Sequence, residues 1–232
     1  FRDQTLTVEQ HKAFGRRFGE LHIHPNAPKP IEGHPEILVV KGDENSKRVA
    51  GEVWHSDVSC DEEPPMGSIL HIQRVPDNGG GDTSFANMYA AYEALSAPMR
   101  DFLKGLTAVH ASIKSANHQY RDKTADMKFP ASEHPIVRTH PETGHNTIYL
   151  GRRPYAYING LEVGESEHLL DEVWAHATQP QFTWHHQWQV GDVIIWDNRC
   201  VLHRRDAFDP KSRRVMHRTQ IKGSGAPERA AL

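Results

Sequence analysis

Apolar residues along this chain fall in short runs that are separated by turns rich in glycine, proline and asparagine. Runs of this kind predict β-strands. The predicted strands cover 37–40, 67–74, 106–111, 135–139, 147–150, 182–188, 193–196, 200–203 and 215–221. Many short strands with few helices between them favour a jelly roll or a sandwich. We therefore predict a mostly β fold with flanking helices, as a single domain over 1–232 without internal repeat or linker.

Helices are predicted at only a few places. Thr7-Val-Glu-Gln forms a capping box and predicts a helix through about Phe18, with Val8, Phe14 and Phe18 on its buried side. Three further helices are predicted at 85–95, 97–104 and 165–177, the second of them capped by Ser96. Residues 20–50 are rich in proline, glycine and charge, and predict a long loop around one strand. Whether that loop is an ordered lid or a mobile one is left open.

Composition narrows the possible functions. The 232 residues carry a net charge of −3 with acids and bases interspersed, which does not favour nucleic acid or an anionic membrane as a partner. No apolar run approaches the roughly 20 residues that a membrane span needs. Two cysteines are too few for a disulfide scaffold and fit a cytoplasmic location. The chain begins at Phe1 without a methionine, and we expect that further N-terminal strands are missing from it.

The pair His55-x-Asp57 is the first candidate for chemistry. In a strand, alternate residues point to the same side, so both side chains can reach one metal ion. With 17 histidines and 30 acidic residues, roughly two such pairs are expected by chance. Two others occur, at His34-Pro-Glu36 and His140-Pro-Glu142, and we interpret them as solvated turns. A buried histidine bonded to its neighbouring aspartate remains the alternative for His55.

Residues further along the chain favour a metal. His203 ends a predicted strand, and two histidines with one carboxylate form the facial triad that leaves three positions open on non-haem Fe(II). Arg214 and Arg218 share one strand face, and a buried arginine is costly unless an anion pairs with it. The two arginines therefore indicate two carboxylate-sized anions near the metal. The alternative is a pair of surface salt bridges.

Taken in order, these segments resemble the taurine dioxygenase family of Fe(II)/2-oxoglutarate oxygenases, which includes aryloxyalkanoate dioxygenases and alkylsulfatases. The resemblance is carried by Phe18-Gly-Glu-Leu-His-Ile-His-Pro, Trp54-His-Ser-Asp-Val, Gly-Gly-Asp-Thr83, His134-Pro-Ile-Val-Arg-Thr-His-Pro-Glu-Thr-Gly, Trp196-Asp-Asn-Arg and Arg214-Val-Met-His-Arg. It covers nearly the whole chain. It implies a double-stranded β-helix, a jelly roll that hydroxylates a C–H bond while 2-oxoglutarate and O₂ give succinate and CO₂.

The resemblance also implies a role for individual residues. His55, Asp57 and His203 would be the ligands of Fe(II). Thr83 and Arg214 would hold the distal carboxylate of 2-oxoglutarate, Thr83 by its hydroxyl and Arg214 by a bidentate pair. If the attacked carbon also bears a sulfonate or an ether or sulfate oxygen, the hydroxylated product would fragment.

The substrate end of the site departs from the taurine pattern. By resemblance, His24, Arg218 and the backbone N–H of Val58 grip an anionic group. Taurine enzymes fill four positions of the pocket with aromatic residues and an asparagine. Three of these positions are here Ala27, Gly51 and Ile113, and the fourth falls at or near Pro154. Arg152-Arg153 stands where neutral residues are expected. We predict a bulkier anion than taurine as substrate, namely a sulfonate, a sulfate ester or a carboxylate.

Three other interpretations are possible from the sequence. His22-x-His24 is typical of a hydrolase zinc pair, but no convincing set of further ligands accompanies it. A non-catalytic jelly roll that only binds ligands is the alternative to an enzyme, and the intact set of ligands and arginines argues against it. A halogenase of the same fold is excluded because Asp57 occupies the position that must be small. Because family members are commonly dimers or tetramers, we also expect a homo-oligomer.

Overall fold

The computed structural model describes residues 1–24, 31–46, 51–112 and 130–231. Its helices are α1 (Val8–Arg16), α2 (Met88–Glu93), α3 (Ala97–Lys104) and α4 (Val163–Ala177). Its strands are β1 (Leu21–His22), β2 (Leu38–Gly42), β3 (Gly67–Arg74), β4 (Thr83–Asn87), β5 (Thr107–Ala111), β6 (Ala131–Pro135), β7 (Val137–Thr139), β8 (Asn146–Ile148), β9 (Ala156–Ile158), β10 (Thr183–His186), β11 (Val193–Asp197), β12 (Val201–Arg205) and β13 (Arg214–Ile221). The predicted mostly β fold is confirmed.

Two antiparallel sheets form the body of the jelly roll. One follows the order β1-β13-β3-β11, with β2 also paired to β13, and the other follows β10-β4-β12. Between them lies an apolar core that draws residues from both sheets: Leu70, Ile72, Phe85, Trp188, Trp196 and Met216. Because inward-facing residues alternate along each strand, this core also fixes which side chains point to the mouth of the roll.

A second core stands beside the jelly roll. The sheet β6-β5-β9 and the hairpin β7-β8 pack with helices α2, α3 and α4. The fully buried residues of this core include Leu103, Ile136, Ile148, Ile158, Leu170 and Leu202. Leu202 belongs to β12, so this layer supports the strand that carries His203.

Helix α1 begins as predicted but buries a different face. Thr7 and Gln10 form the capping box. Phe18, however, is 45 % exposed and lies beyond the helix, and Val8 and Phe14 are only partly buried. The buried positions of α1 are instead His11, Lys12 and Gly15. The prediction was therefore wrong for Phe18 and confirmed only in part for Val8 and Phe14, since Phe14 still packs against the apolar cluster of the sheet.

Other predictions also needed correction. The segment predicted as one helix over 85–95 is strand β4 followed by α2, with Asn87 as the helix cap. His140-Pro-Glu142 opens an exposed turn as predicted, but His140 itself is buried and bonds to Asp197 at 3.0 Å. Ala27 and Ile113 lie outside the described residues. Among the helices that the structure does describe, none combines the length and apolar character needed to cross a bilayer.

Candidate metal centre

His55 and His203 are brought together by the backbone, although 55 lies in a loop. The N–H of each donates to the carbonyl of the other at 2.9 Å, which makes an isolated antiparallel bridge along β12. Their rings stand with centroids 4.1 Å apart, and both side chains are buried. The two predicted imidazole ligands are therefore held side by side at the mouth of the roll.

Asp57 completes the cluster. The Asp57 carboxylate lies 3.8 Å from Nε2 of His55 and 3.9 Å from Nε2 of His203, and one donor atom from each of the three residues falls within 4.8 Å of the others. Asn198 fixes the Asp57 backbone by accepting from its N–H at 2.8 Å and donating to its carbonyl at 2.9 Å. The loop that carries Asp57 is thus tied to the turn that follows β11.

The protonation of the three side chains suits a metal. Nδ1–H of His55 donates to the Val53 carbonyl at 2.8 Å, which leaves the Nε2 lone pair for a ligand. Burial, reinforced by His203, lowers the pKa of His55 well below its ordinary value, and burial lowers that of His203 to about 4. Both imidazoles are neutral at pH 7, as metal ligation requires.

The carboxylate of Asp57 is supported from the five-stranded sheet. Ser68 Oγ donates to one of its oxygens at 2.9 Å, and Nη1 of Arg218 donates to the other at 2.9 Å. Burial alone would raise the pKa of Asp57, but Arg218 and the nearby histidines hold that pKa well below its usual range. Asp57 is therefore ionised, and the residues present fit a divalent metal in an open facial site.

A cavity of about 910 Å³ opens onto this cluster, and Thr83 lies on its wall. Thr83 begins β4, and its Oγ1 accepts a hydrogen bond from Nε1 of Trp188 at 2.9 Å. Trp188 can only donate. The hydroxyl proton of Thr83 is therefore free to be directed into the cavity, where it can donate to a carboxylate.

Arg214 lines the same cavity and is only 3 % exposed. Its Nε is buried without a partner, and the guanidinium makes no hydrogen bond or ion pair with any residue that the structure describes. Burial and Arg205 lower the pKa of Arg214 to about 9, so the group stays charged at neutral pH. Gly81, at φ +70°, passes so close that a Cβ there would stand 2.9 Å from Cδ of Arg214. This enclosed cation fits an anionic ligand.

The three predicted substrate-binding residues also reach the cavity. His24, Val58 and Arg218 all line it. Val58 has φ +50°, a strained conformation for a β-branched residue, and within the described chain its N–H donates no hydrogen bond. Burial and Arg218 lower the pKa of His24. Arg218 differs from the simple expectation, since it already contacts Asp57 while lining the cavity.

Arg152 and Arg153 have opposite surroundings. Arg153 turns to helix α4, where it bonds Asp171 at 2.6 Å and Glu167 at 3.0 Å. Arg152 instead lines the cavity, and its backbone bridges that of His55. Gly51, one of the positions at which the sequence departs from taurine enzymes, also lines the cavity. The two adjacent arginines are therefore not equivalent.

A second cluster, His140, Asp197 and Cys200, has a comparable spacing of donor atoms. Here Arg199 binds both oxygens of the Asp197 carboxylate, at 2.6 to 3.2 Å. Burial and Asp197 raise the pKa of the Cys200 thiol to about 12. A neutral thiol and a carboxylate already matched by a guanidinium make a poor metal site, so we interpret this cluster as structural.

Some residues of the site were not assigned from the sequence. Ser68 and Asn198 hold Asp57, and Trp188 holds Thr83, across 11, 141 and 105 positions of the chain. The only signal for Ser68 was a polar residue on an apolar strand. Asn198 stood in Trp196-Asp-Asn-Arg, a segment that carried the resemblance without a role for the asparagine.

A jelly roll that opens on two histidines and one carboxylate, beside a buried arginine that has no partner among the described residues, defines a mononuclear metal oxygenase of the facial-triad class. The family described as taurine catabolism dioxygenase TauD, TfdA family matches residues 1–220. The chain belongs to this family.

Individual relatives agree with this assignment. The chain is 36 % identical to the (S)-phenoxypropionate/alpha-ketoglutarate-dioxygenase of Sphingobium herbicidovorans, over 99 % of this chain and 83 % of that protein. A crystal structure of a taurine dioxygenase from Burkholderia xenovorans superposes with a TM-score of 0.80 and 37 % identity, covering 98 % of this chain and 76 % of that one. The structure of AAD-2 in complex with Mn(II) and N-oxalylglycine gives a TM-score of 0.82 at 29 % identity, over 99 % and 85 % of the two chains. The protein is an enzyme of this dioxygenase family, which excludes the non-catalytic binding module.

Proposed function

We propose that the protein is an Fe(II)- and 2-oxoglutarate-dependent dioxygenase that hydroxylates a C–H bond of a small anionic organic substrate. The observation that carries the proposal is the cluster of His55, Asp57 and His203 at a cavity whose wall holds Arg214, a buried cation that the described residues leave without a partner. Fe(II), when bound, would use O₂ and 2-oxoglutarate to transfer one oxygen atom to the substrate, and succinate and CO₂ would leave.

Each residue then has a role that its surroundings support. His55, Asp57 and His203 would hold the metal and keep the remaining positions on one side of it. Arg214 and Thr83 would fix the far carboxylate of 2-oxoglutarate, the first through its guanidinium and the second through its hydroxyl. The chain's contribution is to place these groups and to match their charge before the reaction begins.

We further propose that His24, Arg218 and the N–H of Val58 orient an anionic group of the substrate. Support comes from their common position on the cavity wall and from the Val58 N–H, which donates no hydrogen bond within the described chain. Gly51 and the cavity volume of about 910 Å³ favour a sulfonate, sulfate ester or carboxylate bulkier than taurine. If the hydroxylated carbon also bears an oxygen or a sulfonate, the product would fragment. Measured preference for taurine over longer alkyl or aryl anions would contradict this substrate class.

The test is substrate-stimulated formation of succinate from 2-oxoglutarate with Fe(II) and O₂. We would use taurine, alkylsulfonates, alkyl sulfates and aryloxyalkanoates, with Asp57→Ala as the inactive variant and Arg153→Gln as a matched control outside the cavity. We expect stimulation by at least one bulky anion in the wild type and in the control. The absence both of succinate and of a visible charge-transfer band with Fe(II) and 2-oxoglutarate would overturn the proposal.

We also propose a single catalytic domain over 1–232, a cytoplasmic location and a homo-oligomer, dimer or tetramer. The two cysteines are both free, which fits a reducing compartment. Light scattering during size-exclusion chromatography tests the oligomer, and the mass of one chain would contradict it.

A further inference from the structure

Arg152 is a cation on the cavity wall that has no assigned role in holding Fe(II) or 2-oxoglutarate. The charge of Arg152 lowers the pKa of each candidate metal ligand, so it favours the ionised form of Asp57 and the neutral forms of His55 and His203. Burial lowers its own pKa. With the residues that the structure describes, the Arg152 side chain forms no hydrogen bond or salt bridge. Arg152 is partly buried and lines the cavity, so an anionic ligand there would supply the hydrogen bonds and counter-charge that its guanidinium lacks within the described chain.

Two of the other cations around the cavity have carboxylate partners. Lys41 pairs with Asp43 at 2.8 Å, and Arg205 pairs with Glu52 at 2.8 Å. Asp61 also lines the cavity, but its electrostatic influence falls on other groups: His22, His24 and Cys60. The carboxylate that most affects Arg152 is Asp57. That carboxylate already accepts hydrogen bonds from Ser68 and Arg218.

The formal charges of the proposed complex show what is missing. Fe(II), the Asp57 carboxylate, the Arg214 guanidinium and dianionic 2-oxoglutarate together cancel. Arg218 then matches one anionic group of the substrate. His24 contributes no charge at neutral pH, because burial and Arg218 lower its pKa below the ordinary value of 6.5. Arg152 is left as a partly buried cation on the cavity wall that forms no ion pair with any residue of the described chain.

We propose that Arg152 is a specificity-determining residue that binds a second anionic group, so that the preferred substrate is a dianion with two separate acidic groups. This inference rests on the proposed function. Arg218 would hold one acidic group and Arg152 the other, each by charge-assisted hydrogen bonds. Because Arg152 is joined to His55 through the backbone, the second group would be held beside the candidate metal and would fix the orientation of the substrate.

The test is anaerobic titration of the enzyme loaded with Fe(II) and 2-oxoglutarate, followed by the shift of its charge-transfer band. The probes are two matched pairs: propane-1-sulfonate with 3-sulfopropanoate, and phenoxyacetate with 4-carboxyphenoxyacetate. In the wild type we expect the dianion of at least one pair to bind about ten- to hundredfold more tightly. Arg152→Gln should abolish that preference and leave the affinity for the monoanion within about twofold. The neighbouring Arg153→Gln should behave as wild type.

Two results would overturn the inference. One is equal affinity of the wild type for both members of each pair, and the other is an equal loss for monoanion and dianion in Arg152→Gln. Arg152→Lys keeps the charge and should keep a several-fold preference for the dianion. If Arg152→Gln does not fold, the inference is tested by the preference of the wild type together with that of Arg152→Lys. A charge-transfer band without dianion preference refutes this inference alone, whereas the lack of any band refutes the proposed function as well.

Discussion

Arg214 is a buried cation whose counter-charge must come from a ligand, given what surrounds it in the described chain. Replacing Arg214 by glutamine should raise the dissociation constant of 2-oxoglutarate by about tenfold to a hundredfold or more, because charge-assisted hydrogen bonds are lost. This dissociation constant is measured by titrating the Fe(II) enzyme with 2-oxoglutarate and following the charge-transfer band. The exposed neighbour gives a matched control, Arg213→Gln, which should leave the affinity unchanged. Unaltered 2-oxoglutarate binding in the Arg214 variant would show that another group holds the carboxylate.

The close approach of Gly81 to Arg214 can be tested separately from the backbone strain at this position. Gly81 and Gly79 both have positive φ, at +70° and +80°, but a Cβ would crowd Arg214 only at position 81. Alanine at either position should cost about 1–2 kcal/mol of unfolding free energy. Only Gly81→Ala should also weaken 2-oxoglutarate binding, by about tenfold. Thermal melts and 2-oxoglutarate titrations of both variants measure this, and equal effects on binding would remove the proposed link to Arg214.

At the scale of elements, the sequence predicted the strands that carry most of the site and missed the one that carries Thr83. Strands β3, β11 and β12 are apolar runs with clear turn sequences on either side. The β4 segment, Thr-Ser-Phe-Ala-Asn, runs into the apolar start of α2 without a break, so its period could not be separated from that of a helix. The contact between Trp188 and Thr83 spans 105 positions and follows only from the pairing of β10 with β4.

Helix α1 meets the sheet through histidines, and this makes its packing sensitive to acid. Burial, then His71 and His217, lowers the pKa of His11 to about 4, and the pKa values of the other two are lowered as well. The unfolded chain takes up these protons near pH 6.5, before the folded chain does. The stability is therefore complete above pH 6.5 and is lost as the pH falls toward 4, by about 3 kcal/mol for His11 alone.

Chemical unfolding at several pH values measures this loss. Since the metal-site histidines titrate in the same direction, the difference between variants is the informative quantity. His11→Gln should show a shallower fall of unfolding free energy between pH 6.5 and 4 than the wild type. The exposed His145 offers a control, and His145→Gln should follow the wild-type curve. Parallel curves for all three proteins would exclude His11 as the acid-sensitive contact.

At the scale of the whole molecule, the candidate metal centre lies where separate parts of the roll converge. His203 belongs to the smaller sheet, Asp57 to a loop, and the Arg218 and Ser68 that support Asp57 to the larger sheet. The sequence could supply the ligands and the two arginines, because each stands in a short segment with its own pattern. It could not show that Arg218 contacts Asp57 or that Arg152 and Arg153 diverge, because both facts depend on how the sheets close.

Because the site joins these parts, metal binding should stabilise the whole fold. Mn(II) at about a hundred times its dissociation constant adds about 2.7 kcal/mol to the unfolding free energy. For a chain of this length, that corresponds to an increase of about 5–10 °C in Tm. Asp57→Asn should lose most of the increase, since only the carboxylate supplies the negative ligand, whereas Asp197→Asn in the second cluster should retain it. The comparison is of each variant with and without Mn(II), so that the starting stability cancels. A larger loss in the Asp197 variant than in the Asp57 variant would place the metal in the second cluster.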